Sequence, residues 1–215
     1  MRVFISWSGS GSKAAAEALH EWLPLVLNRL KPWISSNDIA PGARWNAAVA
    51  KALSESKAGI ICLTPENMAS PWILFEAGAL AKTVGNDTLV CPYALFDLRL
   101  SDVAGPLGQF QALKADKDGT RRLVGVLNKA LGRGRIDEQQ LNYAFKALWQ
   151  DLNRRLRKIQ QIHQPQGGLT KREGAKAESE MTVKELYLNF KDQPAPFARL
   201  ASLRNLRKQN VRPIA

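Results

Sequence analysis

Cysteine and histidine are scarce in this 215-residue chain, with two of each. There is no Cys-x-x-Cys pair, which argues against a zinc site of the usual Cys/His kind, and no metal is expected. Cys62 and Cys91 sit in the apolar runs IICL and LVCPYAL, as buried thiols of a reducing compartment do. No run approaches the roughly 18 apolar residues that suggest a membrane span, and the N-terminus lacks a basic region followed by an apolar signal core. The expected location is therefore cytoplasmic, away from membrane. The dinucleotide fingerprint G-x-G-x-x-G and the P-loop pattern are also missing.

The formal net charge of +12 is unevenly spread. Residues 1–120 hold eleven Lys/Arg and eleven Asp/Glu and are neutral overall; residues 121–160 carry ten basic and three acidic groups, and residues 161–215 carry ten and five. The basic character belongs to the later part of the chain. Arg154, Arg155, Arg157 and Lys158 gather on one side of a long amphipathic segment, which brings in nucleic acid as a secondary, indirect partner and an acidic protein partner as the plainer reading.

Periodicity divides the chain into alternating elements. Strands are expected over RVFISW (2–7), KPWIS (31–35), GIICLTP (59–65) and TLVCPYAL (88–95), the last ending or bulging at Pro92. Helices are expected from about Lys13 to Leu30, kinked or divided by Pro24, then over 45–56, 71–83, 120–131 and 137–162. Ser70 and Pro71 suit the cap and first position of the third of these. On the last, Leu141, Phe145, Leu148, Leu152, Leu156 and Ile159 form the apolar face. Residues 101–119 read as loop. The order strand, helix, strand, helix predicts a parallel, doubly wound sheet with its site outside the carboxyl ends of the strands, on loops 7–12, 36–45 and 64–71. The domain is expected to span 1–160 with its closing helix, followed by a basic linker and short extension over 161–215.

Three segments carry candidate chemistry. The Gly/Ser turn after the first strand can donate backbone N–H groups to phosphate, or can be a tight connection with Ser10 or Ser12 as cap; both readings stand. The loop SNDIAPGARW combines Asp38, Arg44 and Trp45, which suits either a surface contact with another copy of the chain or substrate handling. In SPWILFEAGALAK, Trp72 and Glu76 are four apart and share a helical face. A carboxylate in so apolar a helix either pairs with Arg44 or Lys82 or faces a cleft, because an unpaired buried charge is costly. Beside an aromatic wall, it would stabilise a developing ribosyl cation during cleavage of an N-glycosidic bond. No second carboxylate is spaced as an acid partner, and a leaving group that is already cationic needs none.

Taken together, VFISWSG (3–9), PWISSNDIAPGARW (32–45), GIICLTPEN (59–67) and SPWILFEAGALAK (70–82) resemble the bacterial form of the TIR (Toll/interleukin-1 receptor-like) family over roughly residues 1–130. The resemblance implies a flavodoxin-like three-layer sandwich with about five parallel strands, the fifth near Gln109 to Leu113, and a C-terminal helical extension. It implies Glu76 as the catalytic carboxylate of an NAD-cleaving enzyme that releases nicotinamide and gives ADP-ribose or a cyclised form, with NAD as substrate and no cofactor. Trp7, Ser8, Gly9 and Trp72 would line the nucleotide cleft. The 36–45 loop, with Asp38, Arg44 and Trp45, would join neighbouring domains. Such relatives act in anti-phage defence with a sensor or effector, here expected to be separately encoded. Other members are non-enzymatic scaffolds, and that alternative stays open on sequence alone.

Overall fold

The computed structural model describes residues 1–34, 45–68, 70, 73 and 89–163. Strand β1 (Arg2–Ser6) leads into helix α1 (Ser10–Val26), followed by β2 (Lys31–Trp33), α2 (Trp45–Glu55), β3 (Ala58–Leu63) and β4 (Leu89–Ala94). Two short 3-10 turns, Leu100–Asp102 and Gly105–Gln109, precede β5 (Leu113–Lys114). Helices α3 (Lys117–Ala130) and α4 (Glu138–His163) follow. Every strand pair is parallel, in the order β2-β1-β3-β4-β5. This is the parallel, doubly wound sheet that the alternating pattern predicts, in the flavodoxin-like α/β arrangement that the resemblance implies.

All six residues of β3 are buried, as a central parallel strand requires. Side-chain alternation then splits the core by sheet face. Val3, Ile5, Ile60, Cys62, Tyr93 and Leu95 pack with α1, α3 and α4, while Ile61, Leu63, Ala94 and Ile73 form a second cluster with Leu98 and Leu107. The seam between α1 and α4 is the main helix contact of the first face. Trp22 anchors it. Its indole Nε1–H donates to the Leu148 carbonyl at 2.9 Å, and its ring meets Phe145 edge-on at 6.1 Å. Arg155 bridges the same seam, paired with Glu21 at 2.6 Å and with Asp151 at 3.0 Å. It is therefore part of the α1–α4 contact rather than of an open basic face.

Several boundaries differ from expectation. Helix α1 begins at Ser10 and ends at Val26, so Ser10–Ser12 are helical instead of a flexible turn. Pro24 falls in its last turn and does not divide it. Strand β4 runs through Pro92 without a break, paired with Ile61. The Leu89 and Leu95 amides donate to Lys57 and Leu63 on the β3 side. By alternation, position 92 turns its nitrogen the other way, where β5 pairs only with Tyr93 and Ala94. The missing N–H of Pro92 therefore costs no ladder bond.

The segment read as loop contains β5, which meets the expected range at Leu113 and runs one residue past it, and the start of α3. Asp116 caps α3 by accepting from the Gly119 amide at 2.8 Å. Gly119 is required there because a Cβ would overlap the Lys114 backbone. On α4, Trp149 is buried and belongs to the apolar face, while Leu148 and Ile159 are only partly buried at its edge. The helix expected over 71–83 lies outside the described residues except for Ile73, which is helical and fully buried. Beyond His163, the expected extension also lies outside them.

Among the described residues, no helix is long and apolar enough to cross a membrane, and no group of three or more His, Cys, Asp or Glu is placed to hold a metal ion.

Candidate functional site

In this sheet the connections from β1 run outward to β2 and then back across to β3. The order reverses between β1 and β3, and crevices for ligands form at the carboxyl ends of strands flanking such a point. Two segments meet there: Trp7–Gly9 after β1, and Thr64–Ser70 after β3.

Asn67 joins them. Its side chain is almost fully buried and fully used. Oδ1 accepts from the Thr64 amide at 2.8 Å, and Nδ2 donates to the Cys62 carbonyl and to the Ser8 carbonyl, both at 3.0 Å. The Ser70 hydroxyl adds a 3.2 Å hydrogen bond to the Ser8 hydroxyl. Ser12 closes the turn from the other side. Its hydroxyl donates to the Ser8 carbonyl at 2.6 Å and accepts from the Ser8 amide at 3.0 Å. Gly9, the residue before α1, has φ of 87°, a left-handed conformation that favours glycine. Of the two expected caps, neither Ser10 nor Ser12 is the N-cap; Gly9 is, and Ser12 fixes the turn by these return bonds.

The turn presents an aromatic ring beside positive charge. The Lys13 ammonium lies 5.1 Å from the centroid of the Trp7 ring. The first turn of α1 has no acidic residue to offset the positive end of its helix dipole. The Trp7 Nε1–H is buried with no hydrogen-bond partner among the described residues. A buried donor left unpaired costs roughly 1–3 kcal/mol. The arrangement can stack a flat ring and attract an anionic group.

Trp7, Ser8 and Gly9 thus come together at the crevice as one turn. Asp38 and Arg44 lie outside the described residues, and so do Trp72 and Glu76. Trp45 is the first residue of α2. Asn67 was legible only as a turn residue after a buried strand, since its partner Ser8 is 59 positions away.

Neither cysteine belongs to the site. Burial pushes the Cys62 thiol up to about 12 and the Cys91 thiol up to about 11. Both folded values lie above the ordinary range, so their contribution to stability is complete below the unfolded pKa and is lost as pH rises toward the folded ones. Native protein should resist iodoacetamide at pH 8, label twice per chain once denatured, and lose stability above about pH 9. Rapid labelling of the native chain at pH 8 would contradict this burial.

Comparison with protein-family models matches residues 3–124 to the TIR domain. This chain belongs to the TIR-domain family. The match covers more than half of the chain and takes in both segments at the crevice. No curated protein matches the sequence. Helix α4 lies beyond the matched residues and closes the first face of the sheet through its seam with α1.

Proposed function

We propose that this TIR domain cleaves NAD at the bond between nicotinamide and ribose. The observation that carries the reading is the tie between Ser70 and Ser8. It fixes Ser70, which precedes Trp72 by two positions and Glu76 by six in the sequence, against the turn that carries Trp7 and leads to Lys13 and the open end of α1. That turn suits a ring and a diphosphate, and a carboxylate four residues after an aromatic suits the ribosyl centre between them.

In the reaction, the C1′–N bond breaks and its electron pair leaves with the nicotinamide nitrogen. The departing ring becomes neutral, so no general acid is needed. Glu76 stabilises the oxocarbenium-like ribosyl centre electrostatically or attacks it. Water then adds at C1′ and releases a proton, giving ADP-ribose; attack by a nucleophile of the same molecule gives a cyclised product instead. Trp7 and Trp72 stack on the substrate, and Ser8 and Gly9 shape the turn. Asp38, Arg44 and Trp45 belong to a loop that joins copies of the domain, so activity rises with assembly. A defence role with a separately encoded sensor or effector follows from the same family reading.

The test is a product assay. The purified chain is incubated with NAD both concentrated and diluted, and nicotinamide, ADP-ribose and cyclic species are separated. Nicotinamide should be released in proportion to the other product, with more per chain in the concentrated sample. An absence of turnover in concentrated and partner-bound samples alike would overturn the enzyme and leave a scaffold that binds other TIR domains.

A further inference from the structure

A second cleft opens away from the switch point, where the ends of β4 and β5 meet α4. It holds about 310 Å³, at the lower end of small-molecule sites. Leu95, Leu156 and Trp149 lie among its lining residues, all three largely buried, and most of its open surface is polar. Two cations line it from different elements, Lys117 at the start of α3 and Arg157 on α4. Among the described residues neither makes an ion pair or hydrogen bond, in contrast to Arg155 two residues before Arg157. The amides of Asn153 and Gln160 add polar groups to the wall.

Phe96 lines the same cleft and has φ of 58°. That left-handed conformation is costly for a bulky residue and persists only where the surroundings over-determine it. The ring is held from behind, 3.3 Å from where a Cβ on Gly11 would stand. One wall is thus a fixed aromatic ring.

We propose that this cleft binds a small phosphomonoester carrying a planar ring, of the size of a nucleoside monophosphate. The phosphate takes Lys117 and Arg157, and the ring lies against Phe96. Asp116 stands in the same wall. Its carboxylate repels a bare anion and accepts from a ligand hydroxyl, which favours a sugar phosphate over inorganic phosphate. The site is independent of NAD cleavage and stands whether or not the chain is an enzyme.

The test is calorimetric titration of the full chain with AMP at low salt, with adenosine and inorganic phosphate as controls. AMP should bind one per chain, and each control about tenfold or more weaker. Lys117→Glu with Arg157→Glu should weaken AMP binding about tenfold or more, and Asn153→Trp should block it by filling the cleft. Both exposed charge reversals leave the core untouched, so circular dichroism should be unchanged. Trp7→Ala should leave AMP affinity within about twofold, because that ring belongs to the other crevice. The proposal is overturned if AMP does not bind at about 5 mM, if the charge reversals leave its affinity unaltered, or if Trp7→Ala abolishes binding.

Discussion

Replacing Glu76 with Gln should lower nicotinamide release about 10²–10³-fold while leaving the fold intact, as loss of one preorganised electrostatic group does elsewhere. Gln keeps the size and removes the negative charge. The ribosyl centre becomes cationic only as the bond to nicotinamide stretches, so the missing charge is felt mainly in the transition state. The loss should therefore appear in kcat, with KM little changed. As a control, Asp118→Asn removes an exposed carboxylate from α3, outside the two crevice segments. Near-parental turnover by the Glu76→Gln protein, with an unaltered circular dichroism spectrum, would end the assignment of this residue.

Replacing Trp22 with Ala should destabilise the domain by about 3–5 kcal/mol, read as a lower midpoint in urea denaturation. Against the ~5–15 kcal/mol that holds a typical domain folded, this is a large share. Trp22 is fully buried between α1 and α4, so truncation opens a cavity beside Phe145 and leaves the Leu148 carbonyl without its donor. Trp22→Phe separates the two effects. It retains a ring in the seam but not the hydrogen bond, and should cost less than Trp22→Ala. Equal midpoints for wild type and Trp22→Ala would mean that the α1–α4 seam contributes little to the cooperative unit.

The sheet was largely readable because its strands are short apolar runs bounded by turn residues, and β3 carried the strongest signal. The two-residue strand β5 was not, since it is too short to show any period. Its place came from the family resemblance, whose range reaches it at Leu113. The start of α3 was hidden by KADKDG, whose composition is that of a loop. Asp116 caps the helix, and Gly119 lies inside it because α3 approaches the Lys114 backbone closely. Tertiary packing overrode local propensity there. Trp149 was missed because it and Leu148 are neighbours on the boundary of the stripe, and only the position of α1 decides which is buried. Pro92 misled in the opposite direction: whether a proline interrupts a sheet depends on which side its nitrogen faces and how far the next strand extends.

The site was legible in part for a similar reason. Trp7, Ser8 and Gly9 follow a first strand, and topology alone brings such a turn to the crevice. Asn67 acts through contacts with Ser8 and Cys62 that no spacing rule reveals. Arg155 looked like one of four equivalent cations until Glu21, 134 positions away, was found beside it.

Helix α4 ends at His163, whose Nδ1 lies 3.3 Å from the Ser10 hydroxyl and whose Cβ is 3.3 Å from the Cβ position of Gly11. The described chain thus ends beside the first turn of α1, with Gly11 two residues from Gly9. A peptide fused directly after His163 in place of the natural sequence would start beside the crevice, at the high effective concentration of a short leash. A weak affinity for the turn, unmeasurable for a separate peptide, would be enough to occupy it from this anchor.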